Sequence, residues 1–176
     1  NDCRTPDEDM IKRALKHMLD LDWNEYYLFY GSLEPKKNLG RILEAVLSSS
    51  IDRPLVIVGA MAWKATGELR LLDHGVKTGR ILLLDYLSQS VLIAVLRGAR
   101  ALLFPSLAEG FGLPVVEAMT FGTPVLTSRE GALAEIGGGA VLSVDPYDVS
   151  DIIRSIEALD RDDALRARPR AAGPAQ

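Results

Sequence analysis

The sequence predicts an α/β domain, a Rossmann-like doubly wound parallel sheet of about six strands covered by helices on both faces. Two observations predict it: short strands that read as continuous apolar runs, and stretches of helical periodicity alternating with them. In such sheets a ligand binds beyond the carboxyl ends of the strands, which directs attention to the turns after Tyr30, Val58, Leu84, Phe104 and Thr127.

The elements follow in order. From Asp7 to Leu19, the apolar positions Ile11, Ala14, Leu15, Met18 and Leu19 share one helical face, with acidic residues early and basic ones late, which suits the helix dipole. Tyr26 to Tyr30 is an aromatic and aliphatic run stopped by Gly31, a buried strand meeting a turn. Helix Leu39 to Leu47, strand Leu55 to Val58, a weaker helix Thr66 to Leu72 and strand Ile81 to Leu84 come next. Helix Gln89 to Arg97, strand Ala101 to Phe104, helix Pro114 to Phe121, strands Val125 to Thr127 and Ala140 to Val144, and helix Val149 to Leu159 complete the pattern. The chain divides into an N-terminal helix and linker (1–25), the Rossmann-like domain (26–160) and a frayed, Pro- and Ala-containing tail (161–176).

Bulk properties narrow the partners. A length of 176 residues fits one globular domain. A net charge of -4 without a Lys/Arg-rich stripe argues against nucleic acid as a partner. Cys3 is the only cysteine, so the chain can form neither an internal disulfide nor a cysteine-based zinc site, and a cytoplasmic setting is expected. The sequence contains no apolar run long enough to span a bilayer and no signal-peptide core after its first residues, so a soluble chain is expected. It opens without a methionine, directly into a helical pattern, as a piece of a longer protein would.

The most informative stretch runs from Phe104 to Met119. A strand ends at Phe104, a loop with Gly110 and Gly112 follows, and Pro114 suits the first position of a helix, where its missing N–H costs nothing. Gly122 and Pro124 then close that helix. The amides around Gly112 and Leu113 stand at a positive helix end and form an anion cradle for a diphosphate. Glu109 in the loop and Glu117 in the helix can both face the crevice, and ionised carboxylates suit sugar or ribose hydroxyls. Alone, Glu109 would be a solvated loop acid and Glu117 a dipole complement; together with two glycines and a helix-initial proline they form a carbohydrate-and-phosphate arrangement.

These residues resemble a known family. Glu109 and Glu117, within EGFGLPVVEAM, match the Glu-x7-Glu signature of glycosyltransferase family 4 and related retaining GT-B enzymes, and GSLEPKKN from Gly31 to Asn38 is similar to its GxxEPRKN segment. With weaker similarity elsewhere, the resemblance covers roughly Tyr26 to Leu159. It implies the C-terminal, donor-binding half of a GT-B fold, serving a hexosyltransferase that acts on a glycan or lipid-linked acceptor. Lys37 would bind the donor diphosphate, Glu117 the ribose hydroxyls, and Glu109 would lie against the transferred sugar. Gly31 and Ser32 would border the diphosphate, the stretch Phe111, Gly112 and Leu113 would hold phosphate or sugar oxygens, and the turn of Asp85, Tyr86 and Leu87 would lie near the base. Lys37 and Glu109 are thus the catalytic candidates. The resemblance implies a GDP- or UDP-linked donor, no metal or cofactor, and an N-terminal acceptor domain in the same or a separate chain. Without that domain the chain is expected to be inactive; in the full enzyme it would lie in the cytoplasm, peripheral to the inner face of the membrane. A non-catalytic nucleotide-sugar-binding subunit is the alternative.

The match departs in places. Many members carry arginine where this chain has Ser32, and the EPxKN subgroup with a small hydroxyl residue there resembles mannosyltransferases, which points towards GDP-mannose. After Gly59 the frequent Gly-x-Gly-Pro is replaced by Ala60 to Lys64, with Trp63 expected in packing. His17 and His74 do not match the family's first-domain histidine and are expected on exposed surfaces. Asp20 and Asp22 imitate an Asp-x-Asp metal motif but precede the first strand, and Arg129 and Glu130 are read as pocket rim or solvated loop. A dehydrogenase is disfavoured because GSLE after the first strand lacks the Gly-x-Gly-x-x-Gly fingerprint.

Overall fold

In a computed structural model of the chain, the described residues are 7–32, 34–59, 66–108, 112–129 and 141–163. In chain order the elements are α1 (Asp7–Leu19), β1 (Tyr27–Tyr30), a 3-10 turn (Pro35–Lys37), α2 (Leu39–Ser48), β2 (Leu55–Val58), α3 (Thr66–Lys77) and β3 (Ile81–Leu84). They continue with α4 (Gln89–Gly98), β4 (Ala101–Phe104), α5 (Leu113–Thr120), β5 (Val125–Ser128), β6 (Val141–Val144) and α6 (Val149–Arg161).

The six strands form one parallel sheet in the order β3-β2-β1-β4-β5-β6. Tyr27 of β1 stands opposite Leu55 of β2 on one side and Ala101 of β4 on the other. Progress across the sheet reverses between β1 and β4, and right-handed crossovers then put α2 and α3 on one face and α4 and α5 on the other. α2 packs against α3 and α6, whereas α1 packs against α4. A shallow apolar groove lined by Ala14, Met18, Val91 and Ala94 runs between α1 and α4.

Apolar runs buried on both faces describe β1, β2 and β4; β5 is equally buried but ends on the polar Thr127 and Ser128. The edge strands β3 and β6 depart from that expectation, with partly exposed positions and Leu83 left 39% exposed, because an edge strand has only one neighbour and incomplete helix cover. Core helices show the predicted spacing: Leu39, Ile42, Leu43 and Val46 of α2, and Ile152, Ile156 and Leu159 of α6, are buried.

The boundaries shift in a few places. β1 starts at Tyr27, although Tyr26 is buried beside it. α3 extends to Lys77 instead of stopping at Leu72; Gly79, with φ 74°, supplies the left-handed exit, and Arg80 N–H bonds back to Gly75 O at 2.9 Å. α5 begins at Leu113, one residue before Pro114. The tail was expected to fray from Arg161, yet Arg161 still belongs to α6; residues 164–176 lie outside the described residues.

At the amino ends of the strands the C-terminal part of α6 is clamped down. Asp160 Oδ1 accepts from Tyr27 Oη at 2.6 Å and from Arg53 Nη1 at 3.0 Å, while the Asp160 carbonyl accepts from Arg100 Nη2 at 2.8 Å. One residue of α6 thereby ties down the starts of β1, β2 and β4. Burial and the acceptor Asp160 together push the Tyr27 phenol well above its usual range, so it stays a donor.

Candidate functional site at the reversal between β1 and β4

A crevice opens where neighbouring strands send their following segments to opposite faces of the sheet, and here that place lies beyond Tyr30 of β1 and Phe104 of β4. The loops after these two strands carry most of the residues singled out in the sequence.

The loop after β1 begins at Gly31, whose φ of 135° only glycine adopts readily, and whose N–H bonds to Val58 O at 3.2 Å. Gly59 after β2 also has a positive φ, 153°, and a Cβ there would collide with the Gly31 carbonyl oxygen. Two glycine backbones are thus pressed together at the edge of the crevice. Ser32 is exposed on this loop.

Lys37 ends the 3-10 turn, and contacts from the β4 side fix that turn. Leu107 N–H and Ser106 Oγ both donate to Lys36 O, at 2.8 and 3.0 Å. The Lys37 ammonium stands over the Phe104 ring, 5.5 Å from its centroid, so a cation on the β1 loop reaches the last residue of β4.

Asn38 secures this arrangement. Its backbone is left-handed (φ 65°), a conformation asparagine tolerates better than most residues, and it caps the start of α2. Its side-chain amide donates to Pro105 O at 2.9 Å and Pro146 O at 2.7 Å, and its Oδ1 accepts from Arg41 Nη1 at 3.0 Å. One buried amide therefore joins the loops after β1, β4 and β6. Arg41 in turn lies over the exposed Tyr147 ring, 5.2 Å from its centroid.

From the other side, Gly112 leads into α5 with φ 64°, and its carbonyl accepts from Val115 and Val116 N–H at 3.0 and 3.2 Å. The amides of Gly112 and Leu113 stand at the positive end of the helix, and the Leu113 side chain is 56% exposed. One turn further on, Glu117 reaches back to β1: its Oε2 accepts from Tyr30 Oη at 2.6 Å. Lys37, on the β1 loop, thus leans on β4, and Glu117, on the helix after β4, leans on β1. A cation and a carboxylate flank the reversal point from opposite sides.

Glu109 and Phe111 lie outside the described residues, as do Trp63 and Glu130. Tyr86, 90% exposed, and half-buried Leu87 follow β3, two strands away from β1. At about 4.8 Å per strand that is about 10 Å. Asp85 is exposed in the same turn. Exposed Arg129 follows β5 and is committed to Asp151 Oδ2 at 2.9 Å. Asp20 and Asp22 precede β1, at the opposite end of the sheet, and both pair with Lys16, at 2.8 and 3.2 Å. His17 and His74 are exposed on α1 and α3. Among the described residues, no cluster of three or more His, Cys, Asp or Glu side chains could hold a metal ion.

Two contributors were missed in the sequence. Tyr30 reads as one more apolar strand residue, and Asn38 as part of a motif. Their available signals were a hydroxyl at the carboxyl end of a buried strand, which must find a partner, and an asparagine directly before a helix.

Comparisons with known proteins give the chain a family and relatives. The model of the family described as "Glycosyl transferases group 1" matches residues 15–176. O-antigen chain mannosyltransferase B of Escherichia coli is 36% identical over 160 residues, covering 89% of this chain and 42% of that protein. An MMP alpha-(1->4)-mannosyltransferase of Mycolicibacterium hassiacum is 34% identical over 123 residues, 67% of this chain and 30% of that protein. The chain thus spans less than half the length of these relatives. Among solved structures, Anabaena HepE in complex with UDP and glucose superposes with a TM-score of 0.75 at 20% identity, over 92% of this chain and 45% of that one. The C-terminal domain of LpcC, a glycosyl transferase group 1 family protein of Francisella tularensis, gives 0.66 at 24% identity, over 80% of this chain and 77% of that one.

Proposed function

The chain belongs to the group 1 glycosyl transferases, and from that membership we propose that it is the donor-binding half of a retaining GT-B hexosyltransferase, with GDP-mannose as the donor. The observation that carries the reading is the crossed pair at the reversal point: Lys37 against Phe104 and Glu117 against Tyr30, on either side of the α5 amino end. A dianionic diphosphate suits the cation and the helix end, and ribose hydroxyls suit the carboxylate. The exposed Tyr86 turn offers the base a place to rest.

In the transfer, the bond between the sugar anomeric carbon and the diphosphate oxygen breaks, the acceptor hydroxyl oxygen bonds to that carbon, the hydroxyl proton passes to the departing diphosphate, and the nucleoside diphosphate leaves. Charge develops on the leaving oxygen, and Lys37 together with the Gly112 and Leu113 amides stabilises it. Glu109 stands against the transferred sugar. No step assigned to these residues calls for a metal. The acceptor, a glycan or lipid-linked sugar, is held by an N-terminal domain in the same or a separate chain, and the assembled enzyme works at the cytoplasmic face of the membrane. Among the described residues no helix is long and apolar enough to cross one.

Mannose as the sugar draws support from Ser32 in the GSLEPKKN segment and from relatives named as mannosyltransferases. A thermal-shift panel of GDP, UDP, ADP and their sugars tests the reading, because a ligand that binds only the folded chain raises its melting temperature by mass action. GDP and GDP-mannose are expected to raise it most. A panel without any response contradicts donor binding, and a larger response to UDP-sugars reassigns the donor. Assaying transfer with and without an acceptor domain then separates an enzyme half from a non-catalytic subunit.

A further inference from the structure

Tyr30 is the last residue of β1, and its side chain is 6% exposed. A phenol so placed has one proton to give and two acceptors in view: Glu117 Oε2 at 2.6 Å and Pro114 O at 3.4 Å. The short contact takes the proton. Burial, reinforced by the neighbouring Glu117, pushes the phenol far above its ordinary range, so the hydroxyl remains a donor across working pH.

Glu117 has three side-chain torsions and is only half-buried at the carboxyl edge of the sheet. Left alone it would lose rotamer freedom only when a ligand arrived, and that loss would weaken binding. The bond from Tyr30 fixes one carboxylate oxygen in advance, on a residue that stays partly exposed. We infer that Tyr30 is a positioning residue: through its hydrogen bond across the reversal point it holds the Glu117 carboxylate preorganised for the ribose diol of the donor nucleotide. The inference rests on the reading of Glu117 as the ribose anchor. It adds a specificity device, in which preference for a ribonucleotide is set by a strand tyrosine that touches no ligand.

The test is isothermal titration of the full chain with GDP and UDP, each beside its 2′,3′-dideoxy form, for the wild type, Tyr30→Phe, Glu117→Ala and the double variant. Tyr30→Phe keeps the ring and removes only the hydroxyl. It is expected to weaken the ribonucleotide about tenfold, to leave the dideoxy form unchanged, and to add nothing in the Glu117→Ala background. Equal weakening of both ligand forms, or additive losses in the double variant, overturns the inference and makes Tyr30 a packing residue. If wild type binds nucleotide but Glu117→Ala leaves the ribo-to-dideoxy ratio unchanged, the ribose reading of Glu117 fails and this inference falls with it. If wild type binds neither nucleotide, the donor-binding reading itself fails. Should Tyr30→Phe fold too poorly to titrate, NMR of the wild-type chain decides. The Tyr30 hydroxyl proton is expected as a slowly exchanging resonance, absent in Glu117→Ala, that shifts with ribonucleotide and not with the dideoxy form; a resonance that both forms move alike, or none at all, overturns the inference.

Discussion

Lys37 and Asn38 are adjacent in sequence yet do different work. Lys37 carries the charge, while Asn38 fixes the loop that carries it, through bonds to Pro105 O and Pro146 O. Lys37→Ala is expected to lower GDP affinity by about 1.5–3 kcal/mol, the worth of a charge-assisted contact, with little change in melting temperature. Titration calorimetry on both proteins reads this, and equal affinities would remove Lys37 from the site. Asn38→Ala should behave in the opposite order. It leaves two buried carbonyls without their donor and is expected to cost about 2–3 kcal/mol of stability in a urea melt, with affinity falling as a consequence. Gly59→Ala belongs with it: the added Cβ meets Gly31 O, and a denaturation midpoint as high as wild type would show that the two glycine turns are not pressed together. Lys37 and Glu117 stood out in the sequence through the family resemblance of GSLEPKKN and EGFGLPVVEAM, and the structure sets both beside the reversal point. The sequence left Tyr30 and the side-chain role of Asn38 illegible, because their partners Glu117 and Pro105 lie 87 and 67 residues away.

Among the elements, α6 shows how a helix start is built at the carboxyl edge of the sheet. Asp148 caps it, accepting from Ser150 and Asp151 N–H at 3.0 and 3.3 Å. Asp151 accepts from Asp145 N–H at 2.8 Å, and this bond, with Arg129 and Arg154 nearby, holds its carboxyl below the ordinary value of 3.8. A carboxyl depressed in the folded state contributes stability that is fully present above its unfolded pKa and is lost as pH falls through the folded one. Asp151→Asn is therefore expected to lower the melting temperature at pH 7, with the difference from wild type shrinking below about pH 4. A gap that stays constant between pH 7 and pH 3 would contradict this origin. Among the described residues the order of strands and α-helices was legible because apolar runs and helical periodicity alternate without conflict, whereas the 3-10 turn Pro35–Lys37 was not read. Edge positions were not legible either: Ile81 to Leu84 is as apolar as Leu55 to Val58, and only the strand order decides which of them is left partly exposed.

The whole molecule is polarised along its strands. The amino ends are bound together by Asp160 with Tyr27, Arg53 and Arg100, and the carboxyl ends bear the glycine turns, Lys37 and Glu117. Stability and binding should then separate by end. Asp160→Ala, which removes the acceptor shared by Tyr27 and Arg53 and the nearer carboxylate of the nearly buried Arg100, is expected to cost about 2–4 kcal/mol and to leave the GDP affinity of the folded chain unchanged. This division was half legible: a parallel sheet places its ligand at the carboxyl ends, but the clamp at the other end needs residues from four separate segments. The most direct check of the account is backbone amide NMR of the chain during titration with GDP and UDP. Perturbations are predicted at Gly31, Ser32, Lys37, Ser106 to Ala108, Gly112, Leu113, Glu117 and the Tyr86 turn, all at one edge of the sheet. Shifts centred on the Asp160 clamp or on the groove between α1 and α4, or no shifts at millimolar nucleotide, would contradict it.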